Sequence, residues 1–205
     1  AAAVIVPMVS PYPPQSAPPR DNFDRKLDRL TFAWGDLVAP AATAGSREAQ
    51  ARAHLKRHRS RLGLTDAILD AAQLTDVQDL GRGPVIARFL QKSGGLEVFN
   101  RRLNVMMNRD GALVAMSGYF APDDQPQRSA PEFKLGAQDA VVSVLQKLGA
   151  DVAADKLELA SEHGAYRSFA LRELLDHVSL QRPVRTRKVL FPAADGSLKP
   201  GYYRS

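Results

Sequence analysis

Two consecutive stretches decide the fold: Ile86-Ala-Arg-Phe-Leu-Gln-Lys-Ser-Gly-Gly-Leu-Glu-Val-Phe-Asn100 and Leu103-Asn-Val-Met-Met-Asn-Arg-Asp-Gly-Ala-Leu-Val-Ala-Met-Ser-Gly-Tyr-Phe120. From Thr75 to Phe120 the apolar period drops toward two and β-branched residues rise, which predicts strands at about 75–80, 84–92, 96–107 and 112–120. Gly81–Pro84 and Ser93–Gly95 break them. Asp110-Gly111 between two apolar runs predicts a hairpin, because both residues tolerate positive φ. Leu103, Val105 and Met107 line one face of its first arm; Val114, Met116 and Phe120 line one face of the second.

Outward from this hairpin set, the upstream chain reads as helical. Phe23, Leu27, Leu30 and Trp34 recur at i, i+4, i+7 and i+11, which predicts a helix starting near Asp21. Pro40–Ser46 reads as a loop. A helix over 47–62 comes next, with Ala51, Leu55, His58 and Leu62 on one face and Gly63 as its stop. Thr65 can cap a short helix to about Gln73. Downstream, residues 121–132 hold three prolines and read as a linker. Val141, Val144, Leu145 and Leu148 then form a helical stripe closed by Gly149. A strand at 156–160 and a helix at 168–178 carrying Leu171, Leu174, Leu175 and Val178 come after it. A last hairpin spans Val184–Phe191 and Ser197–Tyr203. The first twenty residues, with six prolines, read as a polyproline-like linker. The chain starts at Ala1, and Ala1–Val9 has the character of a segment lying just downstream of a small-residue signal cleavage site. Its last predicted strand runs almost to Ser205, which suggests the front of a longer polypeptide.

Composition removes several function classes. The 205 residues carry a net charge of +6 and no cysteine. Zinc ribbons, iron–sulfur clusters and thiol catalysis are therefore excluded, and a core this size needs no disulfide. No apolar run approaches the ~18 residues of a membrane helix. The chain lacks His-Glu-x-x-His, a nucleophile elbow and a phosphate loop. His54 and His58 stand four apart, but two ligands rarely make a metal site. Arg52, Lys56, Arg57, Arg59 and Arg61 form the densest basic run. On a helical wheel they divide around the apolar stripe and have no stacking aromatics among them. A solvated helix face explains them better than nucleic-acid binding; contact with an acidic protein is a third reading.

The middle of the chain resembles the FTP domain, the fungalysin/thermolysin propeptide module. The matching pattern is a strand ending in Gln, a Gly-rich turn, an apolar-x-Val-aromatic strand, and an Asp-Gly hairpin with a closing Gly. It falls on Phe89, Gln91, Gly94, Gly95, Val98, Phe99, Val105, Asp110, Gly111, Val114 and Gly118. The lead-in Leu62-Gly-Leu-Thr65 and the Asn22-Phe-Asp-Arg25 start are also similar to fungalysin-type proregions. Lys188-Val-Leu-Phe-Pro-Ala-Ala-Asp-Gly-Ser-Leu-Lys-Pro-Gly-Tyr-Tyr203 resembles the hairpin of a PepSY-like half.

The resulting expectation is an α+β fold of two small lobes, each with helices on an antiparallel sheet of hairpins. The segments are a Pro-rich linker at 1–20, an FTP-like domain at 21–120, a linker at 121–132 and a PepSY-like domain at 133–205. The resemblance implies a secreted, non-catalytic proregion that chaperones and inhibits a fungalysin-type zinc metalloprotease. The partner is then the catalytic domain of the same precursor, and the zinc is the partner's; no cofactor, nucleic acid or membrane span is expected in this chain. The alternatives are a stand-alone binding module or inhibitor of a peptidase acting in trans and, behind it, a basic nucleic-acid-binding protein. Arg88, Gln91, Gly94 and Gly95 mark the expected contact edge. The Gly-Gly and Asp-Gly positions themselves are expected to shape turns.

Overall fold

The computed structural model describes residues 20–38, 45–122, 131–173 and 179–204 and shows an α+β chain. The N-terminal proline-rich segment, most of the expected 121–132 linker and residues 174–178 of the expected last helix lie outside these residues.

A first group of elements has the chain order β1 (Asn22–Asp24), β2 (Arg29–Trp34), α1 (Arg47–Arg57), α2 (Arg59–Leu62), α3 (Asp66–Ala71), β3 (Gln73–Gln78), β4 (Val85–Ser93), β5 (Leu96–Met107) and β6 (Leu113–Gly118). These strands pair antiparallel in the order β1-β2-β6-β5-β4-β3. A second group holds α4 (Ala137–Lys147), a 3-10 turn at Ala154–Lys156, β7 (Leu157–His163), β8 (Tyr166–Leu171), β9 (Val184–Pro192) and β10 (Leu198–Arg204). There β7-β8-β9-β10 pair antiparallel.

Local chemistry accounts for the helix ends. Ser46 Oγ accepts from Ala49 N at 3.2 Å and Thr65 Oγ1 from Ile68 N at 3.3 Å, so each caps its helix. Gly63 (φ 64) donates to Ser60 O while Leu64 donates to Arg59 O. Gly149 (φ 85) donates to Gln146 O while Ala150 donates to Leu145 O. Both are Schellman closures, which need a residue at positive φ.

One predicted helix, and the first four residues of another, are strands. Residues 22–34 form the β1–β2 hairpin. Asp24 Oδ1 accepts from Lys26 N and Leu27 N, and Asp28 turns at φ 52. This Asx-type turn breaks the apparent i, i+4 stripe. Likewise Tyr166–Leu171 is β8, because Gly164 (φ 58) reverses the chain and β7 and β9 take up both edges. The Asp-Gly turn also differs in type. Only Gly111 has positive φ; Gly111 N donates to Asn108 O at 3.1 Å and Asn108 N to Ala112 O at 2.9 Å. That is a three-residue loop whose αL glycine comes after a type I turn.

Two cores result. Leu55, Ile68, Val85, Phe89, Leu103, Val105, Met107, Met116 and Phe120 lie beneath α1–α3 on the first sheet. Val141, Leu145, Val152, Leu157 and Phe169 lie between α4 and the second. β5 joins them. Its C-terminal half pairs with β6, Asn100 kinks it at φ 53, and Val98 in its N-terminal half bridges Leu190 of β9 in parallel. Val98, Leu190 and Ala121 form a small third cluster at this seam. The Glu97 carboxylate receives the Arg187 guanidinium there, one bond being 3.0 Å, and both side chains are largely buried. Phe99 stacks between Phe191 and Tyr203, with centroids 5.0 and 4.9 Å away.

Candidate partner-contact site

The expected contact edge separates into inward and outward residues. Leu90 lies opposite Arg102 and Lys92 opposite Glu97, so Gln91 alone faces the bulged residues 98–101 of β5. Gln91 is fully buried. Its Nε2 donates to Ala121 O at 2.8 Å and its Oε1 accepts from Ala121 N at 2.7 Å. The amide thus stands in for a strand partner and pins the chain where it leaves the first sheet; it offers nothing to a second protein. Arg88 also points into local structure. Its guanidinium contacts Asp76 Oδ2 at 2.6 Å and Gln78 Oε1 at 2.6 Å, holding β4 to the edge strand β3. Gly94 and Gly95, at φ 54 and 80, turn the chain between β4 and β5, and Gly95 is exposed. The turn is the part of the edge open to a partner.

The remaining motif residues are internal. A Cβ at Gly118 (φ 88) would overlap the Arg102 carbonyl oxygen. One at Gly111 would sit 3.0 Å from the Gln50 side chain. Buried His54 donates from Nε2 to Gly111 O at 2.8 Å, so it locks α1 onto the hairpin turn. His58 is half-buried, and its desolvation lowers its pKa; Asp36 opposes this, while Arg57, Arg61 and His54 add to it. Among the described residues no three His, Asp or Glu side chains gather as a metal site would require.

The basic run is neutralised from within. Arg52 pairs with Glu48 at 2.8 Å, Lys56 with Asp70 at 2.9 Å, Arg57 with Asp36 at 2.8 Å and Arg59 with Asp66 at 3.4 Å. Arg61 pairs with Asp21. Burial acts to raise the Asp21 pKa, but the hydrogen bonds from Arg61 and Trp34 N, with the Arg61 charge, bring it below the usual carboxylate value. Each cation of the run therefore holds a carboxylate that a phosphate would have to displace. This removes much of the counterion-release drive on which nucleic-acid binding depends.

A concave surface that the sequence did not indicate lies on the other sheet. α4, β10 and residues 132–135 enclose a groove of about 470 Å³. Ala140, Val141 and Val144 form one wall, Pro200, Gly201 and Tyr202 the other, and Val184 and Thr186 the floor. Tyr202 OH donates to Leu135 O at 3.1 Å, and its ring meets Phe133 edge-on at 5.3 Å. Burial raises the Tyr202 pKa, so its hydroxyl stays a donor. Residues 132–135, α4, β9 and β10, four separate segments, build the groove. Among the described residues, no helix is long and apolar enough to cross a membrane.

Residues 70–120 match the family model of the Fungalysin/Thermolysin Propeptide Motif. That segment runs from the end of α3 through β3–β6 and contains the Gln91 clamp, the Gly94-Gly95 turn and both constrained glycines. No curated protein matches the chain.

Proposed function

We propose that this chain is the non-catalytic proregion of a secreted fungalysin-type zinc metalloprotease, acting as its chaperone and inhibitor. The observation that carries the reading is the propeptide motif at residues 70–120, set within a fold whose motif residues are engaged in architecture. The zinc and the reacting groups belong to the catalytic domain. The proregion contributes a surface that covers the cleft and stabilises the folded enzyme by binding it and not its unfolded chain. Covalent attachment raises the effective concentration, so modest intrinsic affinity suffices. The Gly94-Gly95 turn, exposed at Gly95, is the part of the expected edge able to approach the partner. A PepSY-like role for residues 133–205 accords with the α4-on-sheet arrangement.

The test supplies this chain in trans to the catalytic domain whose His-Glu-x-x-His motif is encoded with it. Substrate hydrolysis should slow as the chain is added, and the yield of active enzyme on refolding should rise. If hydrolysis keeps its rate and refolding yield is unchanged, the reading fails. Inhibition with no encoded protease downstream would favour a stand-alone inhibitor.

A further inference from the structure

We propose that the groove between α4 and β10 receives an extended acidic segment of a protein partner, added as a strand to the free edge of β10. The inference rests on the proregion reading only for the partner's identity, which would be the catalytic domain; the groove's chemistry is independent of it.

The backbone argument starts at the β9–β10 turn. Ala193 N donates to Ser197 O at 2.8 Å, which makes that pair a hydrogen-bonded one. Alternation then places Phe191–Lys199, Val189–Gly201 and Arg187–Tyr203 at bonded positions. Leu198, Pro200, Tyr202 and Arg204 therefore turn their peptide groups away from β9. Among the described residues nothing pairs with that outer edge. Pro200 removes one donor, as prolines on edge strands do, but leaves its carbonyl and the peptide groups of Tyr202 and Arg204 open. A strand laid there would direct every second side chain over the apolar walls of the groove.

The charge argument selects the segment. Lys134, Lys199 and Arg204 line the groove with Glu132, and the Asp139 carboxylate stands near Tyr202, so cations outnumber carboxylates there. Lys199 meets Asp195 only at 3.8 Å, both side chains being mostly exposed, and no ion pair among the described residues engages Lys134 or Arg204. Leu135, 53% exposed, lies beside them at the mouth. Cations around an apolar trough complement a segment that alternates apolar and acidic residues.

The probe is a labelled, end-blocked hexapeptide of alternating Glu and Val, titrated into the full chain with anisotropy and amide-shift readouts. Its Lys–Val counterpart and sodium decanoate are the controls. Saturable binding is expected, with shifts at Ala140, Val144, Tyr202 and Arg204 and slower amide exchange at Tyr202 and Arg204. The Lys–Val peptide should bind at least about tenfold more weakly, and Lys134→Glu with Arg204→Glu should reverse that order without moving the thermal midpoint. Equal affinity for both peptides, no binding at millimolar peptide, shifts elsewhere, or binding of decanoate alone would each overturn the proposal. Peptide binding with neither protease inhibition nor a gain in refolding yield would keep the groove and sink the proregion reading; inhibition without peptide binding would do the opposite.

Discussion

Gln91 gives the sharpest test of how the two sheets are joined. Its amide satisfies both backbone groups of Ala121, a residue 3% exposed, at 2.7 and 2.8 Å. Gln91→Met keeps the approximate volume and removes both bonds. It strands a buried N–H and a buried C=O, each costing about 1–3 kcal/mol, so a loss of about 2–6 kcal/mol is expected. Urea unfolding at pH 7 monitored by circular dichroism measures it, with the midpoint falling while the slope stays constant. Gln91→Glu adds a pH signature. The carboxylate can accept from Ala121 N but faces Ala121 O without a proton to donate. The protonated acid restores both bonds. Its folded-state pKa is then raised above the unfolded value of ~4.3, so stability is full below that value and is lost as pH rises through the folded pKa. A Met variant within about 0.5 kcal/mol of the parent, the size of an ordinary surface change, would refute the clamp. So would a Glu variant whose deficit does not shrink in acid.

The same geometry yields four further outcomes. Gly118→Ala should cost at least about 2 kcal/mol, since strain at positive φ adds to overlap with the Arg102 carbonyl; Gly95→Ala, with nothing within 4 Å of its Cβ, should cost about 1 kcal/mol. Both are read by the same urea titration. Glu97→Gln should destabilise by about 3 kcal/mol because it leaves the Arg187 guanidinium buried without its carboxylate, and adding Arg187→Met should recover most of that loss in a double-mutant cycle. His58 binds its proton less readily folded than unfolded, chiefly through burial, so it favours folding above its unfolded pKa of ~6.5 and that contribution falls as pH drops toward the folded value. Melting midpoints between pH 7.5 and 5 should slope less in His58→Gln.

The legible parts of the fold were those in which a few neighbouring residues settle the conformation. Gly63, Gly149 and Thr65 were read correctly because a cap is made within one turn of chain. The four middle strands were placed because their alternation matches a sheet buried on one face. β1–β2 and β8 differ from the expected helices because apolar spacing at 22–34 and from Phe169 to Leu171 onward also fits a helix. The deciding factors were an Asx turn, a positive-φ glycine and strands far off in sequence. Of the expected site, the turn glycines were recognised, but the burial of Gln91 was not. Alternation sets Gln91 on the face of Val85, Ala87 and Phe89, but what satisfies its amide there, the backbone of Ala121 thirty residues away, has no local sign. The groove had no comparable sign, since its walls meet only once β9 and β10 have paired.

The residues that make residues 70–120 recognisable are nearly all turned inward. Phe89, Val98 and Val105 are core, Gln91 satisfies Ala121, and Gly111 and Gly118 sit where a side chain would press on Gln50 or the Arg102 backbone. The motif therefore specifies a scaffold, and a substitution within it acts first on stability. Selectivity for one partner over another has to come from side chains free to differ without unfolding the chain. The groove rim meets that condition: Lys134, Lys199 and Arg204 stand outside both main cores. Under the proposed inhibitor role, charge reversal there should change which protease is inhibited while leaving the melting temperature in place, whereas Gln91→Met should lower the melting temperature and weaken inhibition of every target in proportion to the folded fraction lost. The two variants, assayed side by side for inhibition and for melting, separate recognition from architecture.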